Sequence, residues 1–205
     1  MNRKILFIGV MLTLVVAFST TDVSASESLK KADSILTASS NIKAFVEKNG
    51  QLPNYITIEN KKYSMDQYLY ISSYSISSER GMHPLNSDGS VQLSSYTFST
   101  WMKHDILCYG KNEIKKANKP TPRTIKADID ILTVYDMAIR THNYISKNKK
   151  TPNVISSKYG DVQFQTAIYA YAKVLDYYKK NKAMPKYVSL NVAKTSKLAK
   201  YMPNF

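Results

Sequence analysis

Apolar residues recur at spacings of three and four in two long stretches of the chain, which is the pattern of helices with one buried face. Both stretches end in lysines and an Asn, and a Pro follows four residues after that Asn. Lysines suit the negative end of a helix dipole, and proline prevents a helix from continuing. The pattern therefore predicts helices that stop at Asn49 and Asn181. Their apolar positions are Ile35, Ala38, Ile42, Phe45 and Val46 in the first stretch and Ala167, Ala170, Val174, Tyr177 and Tyr178 in the last.

The same helix stop occurs three times, and we call its three occurrences the first, second and third motif segments. Each has an aromatic residue four positions before the Asn, a Lys directly before it and apolar residues after the Pro. The second and third prolines are 33 positions apart, and a weaker version without the aromatic lies at 114–125. A fixed spacing of this size predicts repeated structural units. The Asn and Pro pairs are Asn49 and Pro53, Asn148 and Pro152, and Asn181 and Pro185.

Short strands are predicted after each Pro. Residues 55–63 alternate on both sides of a polar centre, which favours a β-hairpin, and Ser64 is placed as the N-cap of the next helix. After Pro152 the same order recurs, with a turn at 158–161 and a helix predicted from Val162 to Tyr177. The expected fold is mainly α, with stacked helix–turn–helix repeat units that leave room for short β-hairpins.

The N-terminus has the pattern of an export signal. Arg3 and Lys4 precede an apolar run at 5–18, whose 14 residues fall short of the roughly 18–20 that span a bilayer. Small residues at Val23 and Ala25 predict peptidase cleavage after Ala25, so residues 1–25 are interpreted as a signal peptide. An uncleaved membrane anchor is the alternative. The rest divides into a first unit at 26–76, a loop-rich insertion at 77–104, a degenerate and two further units at 105–190, and a basic tail at 191–205.

The amino-acid composition narrows the chemical classes of partner that this chain is expected to bind. Lys and Arg number 29 against 15 Asp and Glu, a net charge of +14, which favours an anionic polymer or surface. The 16 Tyr residues offer flat apolar faces with polar tips, which suit sugars as well as cores. The single Cys excludes an intramolecular disulfide framework and a Cys-rich zinc module. No Gly-rich phosphate loop is present, and we expect no cofactor and no metal.

The segment ILTASSNIKAFVEKNGQLPNYITIENKKYSMDQYLYISSYSI resembles a pseudomurein-binding repeat. The resemblance covers 35–76 and returns over 131–190. It rests on the aromatic-x-x-x-Asn helix end, the turn at 52–56 and the Ser-Met-x-x-Tyr-Leu-Tyr helix; in the second copy Thr151 replaces Leu and Val154 replaces Tyr. Such repeats occur in exported proteins of methanogenic archaea and attach them to the cell wall. The resemblance implies a non-catalytic, wall-associated protein whose partner is pseudomurein. The export signal predicts an extracellular location and disfavours a nucleic-acid partner, and the lack of a second hydrophobic run predicts no membrane span after signal removal.

Candidate ligand contacts follow from this interpretation. Tyr55 and Tyr187 stand beside the Pro turns and are expected at the surface, where they would meet ligand. Asn49, Asn148 and Asn181 are also candidate ligand contacts, although their first role is to shape the helix stop. Pro53, Pro152 and Pro185 are assigned to the turn itself. In contrast, Tyr68, Tyr144 and Tyr177 lie on apolar helix faces and are predicted to be core residues.

Two other functions remain open. Some proteins with these repeats carry a transglutaminase-like cysteine peptidase, and Cys108, His142 and Asp161 occur in the order of its triad. We predict no catalysis, because His142 and Asp161 fall in a repeat helix and its turn rather than on strands. His104 and Cys108, four residues apart, form with His83 only a weak metal pattern. The lysine runs also allow a general polyanion or membrane-surface binder.

Overall fold

The computed structural model describes residues 16–77, 114–117 and 127–189, with side chains from Ala32 onward. The charged and apolar start of the chain, nearly all of the loop-rich insertion and the basic tail lie outside these ranges. Within the described residues the protein is mainly helical, with short antiparallel strand pairs. The mainly α prediction is confirmed at this level.

The described elements fall into two groups along the chain. The first contains helices α1 (Val16–Asn49) and α2 (Met65–Ser77), joined by strands β1 (Tyr55–Ile58) and β2 (Lys61–Ser64). The expected cleavage position after Ala25 lies inside α1. The second group contains α3 and α4 with four strands, in the order β3 (Asp128–Asp130), α3 (Ile131–Asn148), β4 (Val154–Ser157), β5 (Gly160–Gln163), α4 (Phe164–Asn181) and β6 (Tyr187–Ser189).

The hairpin predicted after Pro53 is confirmed. Strands β1 and β2 pair antiparallel from Tyr55 opposite Ser64 to Ile58 opposite Lys61. Glu59 and Asn60 both have positive φ, of 48° and 63°, which is the backbone of a tight hairpin turn that follows the twist of its strands.

The second hairpin corrects one boundary. Val162 was predicted to begin a helix, but it lies in β5 opposite Ile155, and α4 begins at Phe164. Pairing with Ile155 buries the Val162 side chain without a helical turn. The weaker motif at 114–125 differs as well, since Ile114 to Ala117 contains an isolated bridge between Lys115 and Lys150 rather than a helix.

The third motif segment pairs with a strand from earlier in the chain. β6 follows Pro185 and lies antiparallel to β3, with Tyr187 opposite Asp130 and Ser189 opposite Asp128. The order matches the two hairpins, because each strand after a Pro turn pairs with a strand that leads directly into a helix. In this third case, however, the two strands are far apart in sequence.

Side chains cap the helices. Ser64 and Gln67 form a reciprocal capping box: the Gln67 N–H donates to Ser64 Oγ at 3.2 Å, and the Ser64 N–H donates to Gln67 Oε1 at 2.8 Å. The N-cap assignment of Ser64 is confirmed. Asp130 caps α3 by accepting from the Thr133 N–H at 3.0 Å.

Two central helices hold the core. α2 and α4 are buried on nearly every side and pack against each other, while α1 covers α4 and α3 covers α2. A helix that is buried all round must satisfy its polar groups internally. Ser72, Ser73 and Ser75 do so by donating to main-chain carbonyls within α2.

The two groups correspond position by position. Residues 32–77 match 131–176 at a constant offset of 99, so that helix ends, strands and hairpin turns coincide. Cross-group contacts correspond too. Tyr169 Oη donates to Glu47 at 3.1 Å, and its counterpart Tyr70 accepts from Ser146, the counterpart of Glu47, at 3.5 Å. Of the described helices, none combines the length and apolar character that a bilayer crossing requires.

Candidate functional site

The three helix stops share one geometry. In each, the Asn side chain donates from Nδ2 to the main-chain oxygen of the aromatic residue four positions earlier. The distances are 2.9 Å for Asn49 to Phe45, 2.8 Å for Asn148 to Tyr144 and 2.9 Å for Asn181 to Tyr177. The residue after the Asn has a left-handed backbone conformation, and its N–H donates to the carbonyl four positions earlier, in the last turn of the helix. These residues are Gly50, Lys149 and Lys182.

The aromatic residues of the three stops lie at the surface. The prediction that Tyr144 and Tyr177 are core residues is wrong, as is the placement of Phe45 on the buried face. The next residue along each helix takes the core position instead: Val46, Ile145 and Tyr178 are all buried. Tyr68, in contrast, is fully buried as predicted, and its hydroxyl donates to Ser39 Oγ at 2.8 Å. The exposed fractions are 37 % for Phe45 and 42 % for both Tyr144 and Tyr177.

Tyr55 and Tyr187 are also exposed, by 49 % and 54 %, as predicted. Each is the first residue of a strand, and its neighbour across the sheet is the N-cap of a helix. Lysines lie over both rings, with Lys62 Nζ 4.4 Å from the Tyr55 centroid and Lys186 Nζ 5.9 Å from that of Tyr187. In the second segment Val154 holds this position and is partly buried.

Two grooves occupy equivalent places beside the second and third motif segments. The α3 groove, of about 350 Å³, is lined by Arg140, Tyr144 and residues 152–156. The α4 groove, of about 390 Å³, is lined by Lys173, Tyr177, Pro185 and β6. All but two lining residues of the first set, Thr141 and Asn153, have a counterpart 33 positions later in the second. Lys43, Asp176 and Lys180 complete the wall of the α4 groove.

The cations of the two grooves make the same main-chain contact. Arg140 donates to the carbonyl of Ser156, and Lys173 donates to the carbonyl of Ser189. Arg140 also holds Asp136 through two hydrogen bonds of 2.6 and 3.1 Å. The counterpart of Asp136 in α4 is Tyr169, whose ring centroid lies 5.2 Å from Lys173 Nζ.

Sequence reasoning missed Arg140 and Lys173. The available signal was their common position four residues before the motif aromatic, which holds Asn41 in the first segment. Burial lowers the pKa of the Lys173 ammonium; the negative charges of Glu47 and Asp128 oppose this, and the positive charge of Lys43 adds to it.

Two carboxylates in or beside the α4 groove are paired with lysines. Asp176 lies 2.8 Å from Lys180 Nζ and 4.0 Å from Lys43 Nζ. Partial burial opposes the ionisation of Asp176, but hydrogen bonds from Lys180 and Ser40 outweigh it and lower the pKa of that carboxyl. Lys43 also pairs with Glu47 at 2.9 Å. Both carboxylates therefore already have cationic partners.

Two residues of the alternative cysteine-peptidase triad, His142 and Asp161, have separate sets of contacts. His142 lies between the rings of Tyr70 and Tyr74, at centroid distances of 5.0 and 4.9 Å, and burial lowers the pKa of its imidazole. Asp161 lies on the exposed hairpin and accepts from Ser156 Oγ at 3.0 Å. No hydrogen bond joins His142 to Asp161. Cys108 lies outside the described residues.

The metal pattern of His83, His104 and Cys108 also lies outside the described residues. Across 16–77, 114–117 and 127–189, no group of three or more His, Cys, Asp or Glu side chains is arranged to hold a metal ion.

No protein-family model, curated protein or solved structure matches this chain. The resemblance to pseudomurein-binding repeats therefore rests on the sequences of 35–76 and 131–190 alone.

Proposed function

We propose that this protein is an exported, non-catalytic wall-binding protein that attaches to pseudomurein through stacked helix–turn units. On this proposal it is extracellular and wall-associated, and residues 1–25 direct its export. The resemblance over 35–76 and 131–190 suggests the polymer, and the matching order of elements in the two groups supports the repeat interpretation. The net charge of +14 favours an anionic partner.

The observation that carries the proposal is the exposure of aromatic rings at equivalent positions. The free energy of a large aromatic side chain falls when it leaves water, so exposing five of them around the three helix stops has a cost unless a partner covers them. A tyrosine ring stacks on the apolar face of a sugar, while its hydroxyl remains able to hydrogen-bond. The five rings are those of Phe45, Tyr55, Tyr144, Tyr177 and Tyr187.

Retention on purified wall tests this function. The full chain is incubated with pseudomurein sacculi and with bacterial murein, each at low and high salt, and the supernatant is assayed for released peptide. We expect selective retention on pseudomurein that persists at high salt, without peptide release. Charge-only binding would be screened by salt, because exposed charges more than about 10 Å apart interact weakly at 0.1 M.

Two outcomes would overturn the proposal. Retention that disappears in salt, or is equal on both walls, would identify a general polyanion binder. Peptide release that is lost in Cys108→Ala, and that needs His142, would identify the cysteine peptidase instead.

A further inference from the structure

The α4 groove contains a cation that no carboxylate of the described residues approaches to salt-bridge distance. Lys173 is partly buried, and among the described residues it forms no salt bridge; its one hydrogen bond is to the neutral carbonyl of Ser189. Its counterpart Arg140 makes the equivalent carbonyl contact and is neutralised by Asp136. A charge withdrawn from water is normally paired, so an anionic ligand would supply the partner that Lys173 lacks among the described residues.

The neighbouring charges increase this imbalance. Lys43 and Lys180 line the same groove, and each already holds a carboxylate, Glu47 and Asp176 respectively. Burial is the main cause of the lowered pKa of Lys173; the charge of Glu47 opposes that lowering and the charge of Lys43 adds to it. An anion bound between Lys173 and Lys43 would offset both charges at once.

The apolar wall of the groove indicates what carries that anion. Tyr177 and Tyr187 line it with rings that are about half exposed. A cavity of about 390 Å³ has room for a sugar unit. A six-membered sugar that bears a carboxylate matches both parts of the lining, because its ring faces contact tyrosine and its carboxylate pairs with an ammonium.

We propose that the α4 groove selects a uronate-type sugar, with the carboxylate beside Lys173 and the ring against Tyr187. The α3 groove, whose cation is already neutralised, does not select for charge. This proposal rests on the proposed wall-binding function and specifies which chemical group of the polymer one groove recognises.

Binding of defined oligosaccharides to the full chain tests the assignment. Trigalacturonate, its methyl ester and a single-stranded dT12 oligonucleotide are titrated calorimetrically at one fixed salt concentration. We expect the acid to bind at least tenfold more tightly than the ester. Equal affinities for acid and ester would overturn the proposal, and so would tighter binding of the oligonucleotide than of the acid.

Matched variants show which groove is responsible for the preference for acid over ester. Lys173→Gln should abolish the preference for acid over ester, whereas Arg140→Gln, the equivalent change in the α3 groove, should leave it intact. Tyr187→Ala removes an exposed ring without disturbing the core and should weaken binding of acid and ester alike. A Lys173→Gln variant that keeps the full preference would overturn the assignment.

Sacculi separate this proposal from the function on which it depends. Wall in which the carboxyl groups have been amidated should retain the wild-type chain less well than untreated wall. Undiminished retention would overturn the uronate assignment while wall attachment stands. Failure to bind untreated sacculi would instead overturn the wall-binding function itself.

Discussion

Tyr159 Oη donates a hydrogen bond of 2.9 Å to Oδ2 of Asp130, which links the turn of the second hairpin to the N-cap of the helix before it. Lys158 Nζ, on the same turn, lies 2.7 Å from that carboxylate. Thr133 adds bonds from its N–H and its hydroxyl. Partial burial opposes ionisation of Asp130, but the hydrogen bonds from Lys158, Thr133 and Tyr159 outweigh it and lower the pKa of this carboxyl.

Asp130→Ala should therefore destabilise the fold in a pH-dependent way. The loss at pH 7 should be about 1–2 kcal/mol, the usual cost of removing a helix cap. Because the pKa is lower in the folded state, the ionised carboxylate stabilises the fold above its unfolded value near 3.9, and this contribution is lost as the pH falls below about 4. Urea unfolding at pH 7 and pH 3 measures it. The exposed Asp128→Ala is the control; a deficit that widens in acid would contradict the prediction.

The left-handed residues that follow α3 and α4 offer stabilising substitutions. Lys149 and Lys182 have φ of 51° and 55°, a conformation that costs a residue with a Cβ roughly 1 kcal/mol. Lys149→Gly and Lys182→Gly should each raise the free energy of unfolding by about 0.5–1 kcal/mol. Lys147→Gly, two positions earlier within α3, should lower it by a similar amount. If Lys147→Gly and Lys149→Gly changed the free energy of unfolding in the same direction, the left-handed geometry would not be the cause of the effect.

The role of the motif asparagines can be separated from binding. Asn148→Asp keeps the shape but cannot donate to the carbonyl of Tyr144, and it places a negative charge at the negative end of α3. We expect a loss of about 1–2 kcal/mol in stability with unchanged wall retention per folded molecule. The exposed Asn143→Asp, within the same helix, serves as the matched change and should have little effect. Reduced retention at temperatures where Asn148→Asp remains folded would assign Asn148 to the ligand.

Substitution of the exposed tyrosines should lower wall retention and leave stability almost unchanged. The double variant Tyr55→Ala and Tyr187→Ala should lower wall retention several-fold and change stability by no more than about 0.5 kcal/mol per site, since both rings lie at the surface. Tyr68→Phe provides the comparison, because it removes a buried hydrogen bond to Ser39 and should cost about 1 kcal/mol without affecting retention. Retention that survives in the double variant would exclude these rings as ligand contacts.

Local signals predicted local structure well. The alternation around 59–62 predicted the first hairpin, Ser64 was placed correctly as an N-cap, and the Asn and Pro spacing predicted where α1 and α4 end. Each of these features is determined by residues within one or two turns of chain, where propensity and hydrogen bonding act directly.

Two features depended on tertiary packing and could not be predicted in this way. Tyr144 lies one residue from the buried Ile145, and helical spacing alone does not say where the edge of a buried face falls. The strands β3 and β6 have only three residues each and lie next to helices along the chain. Neither an alternating pattern nor a turn in the sequence therefore predicts that they pair. The α4 groove depends on that pairing, because β6 forms one of its walls.

The register of β3 and β6 also determines how this region responds to force. The chain enters β3 at Asp128 and leaves β6 at Ser189, and these two residues are partners at the same end of the ladder. Tension applied to the flanking chain therefore opens the pair one hydrogen bond at a time, since the bonds of an antiparallel ladder run perpendicular to the strands. The β4–β5 hairpin, which lies between these two strands along the chain, would therefore carry no load until the β3–β6 pair has opened.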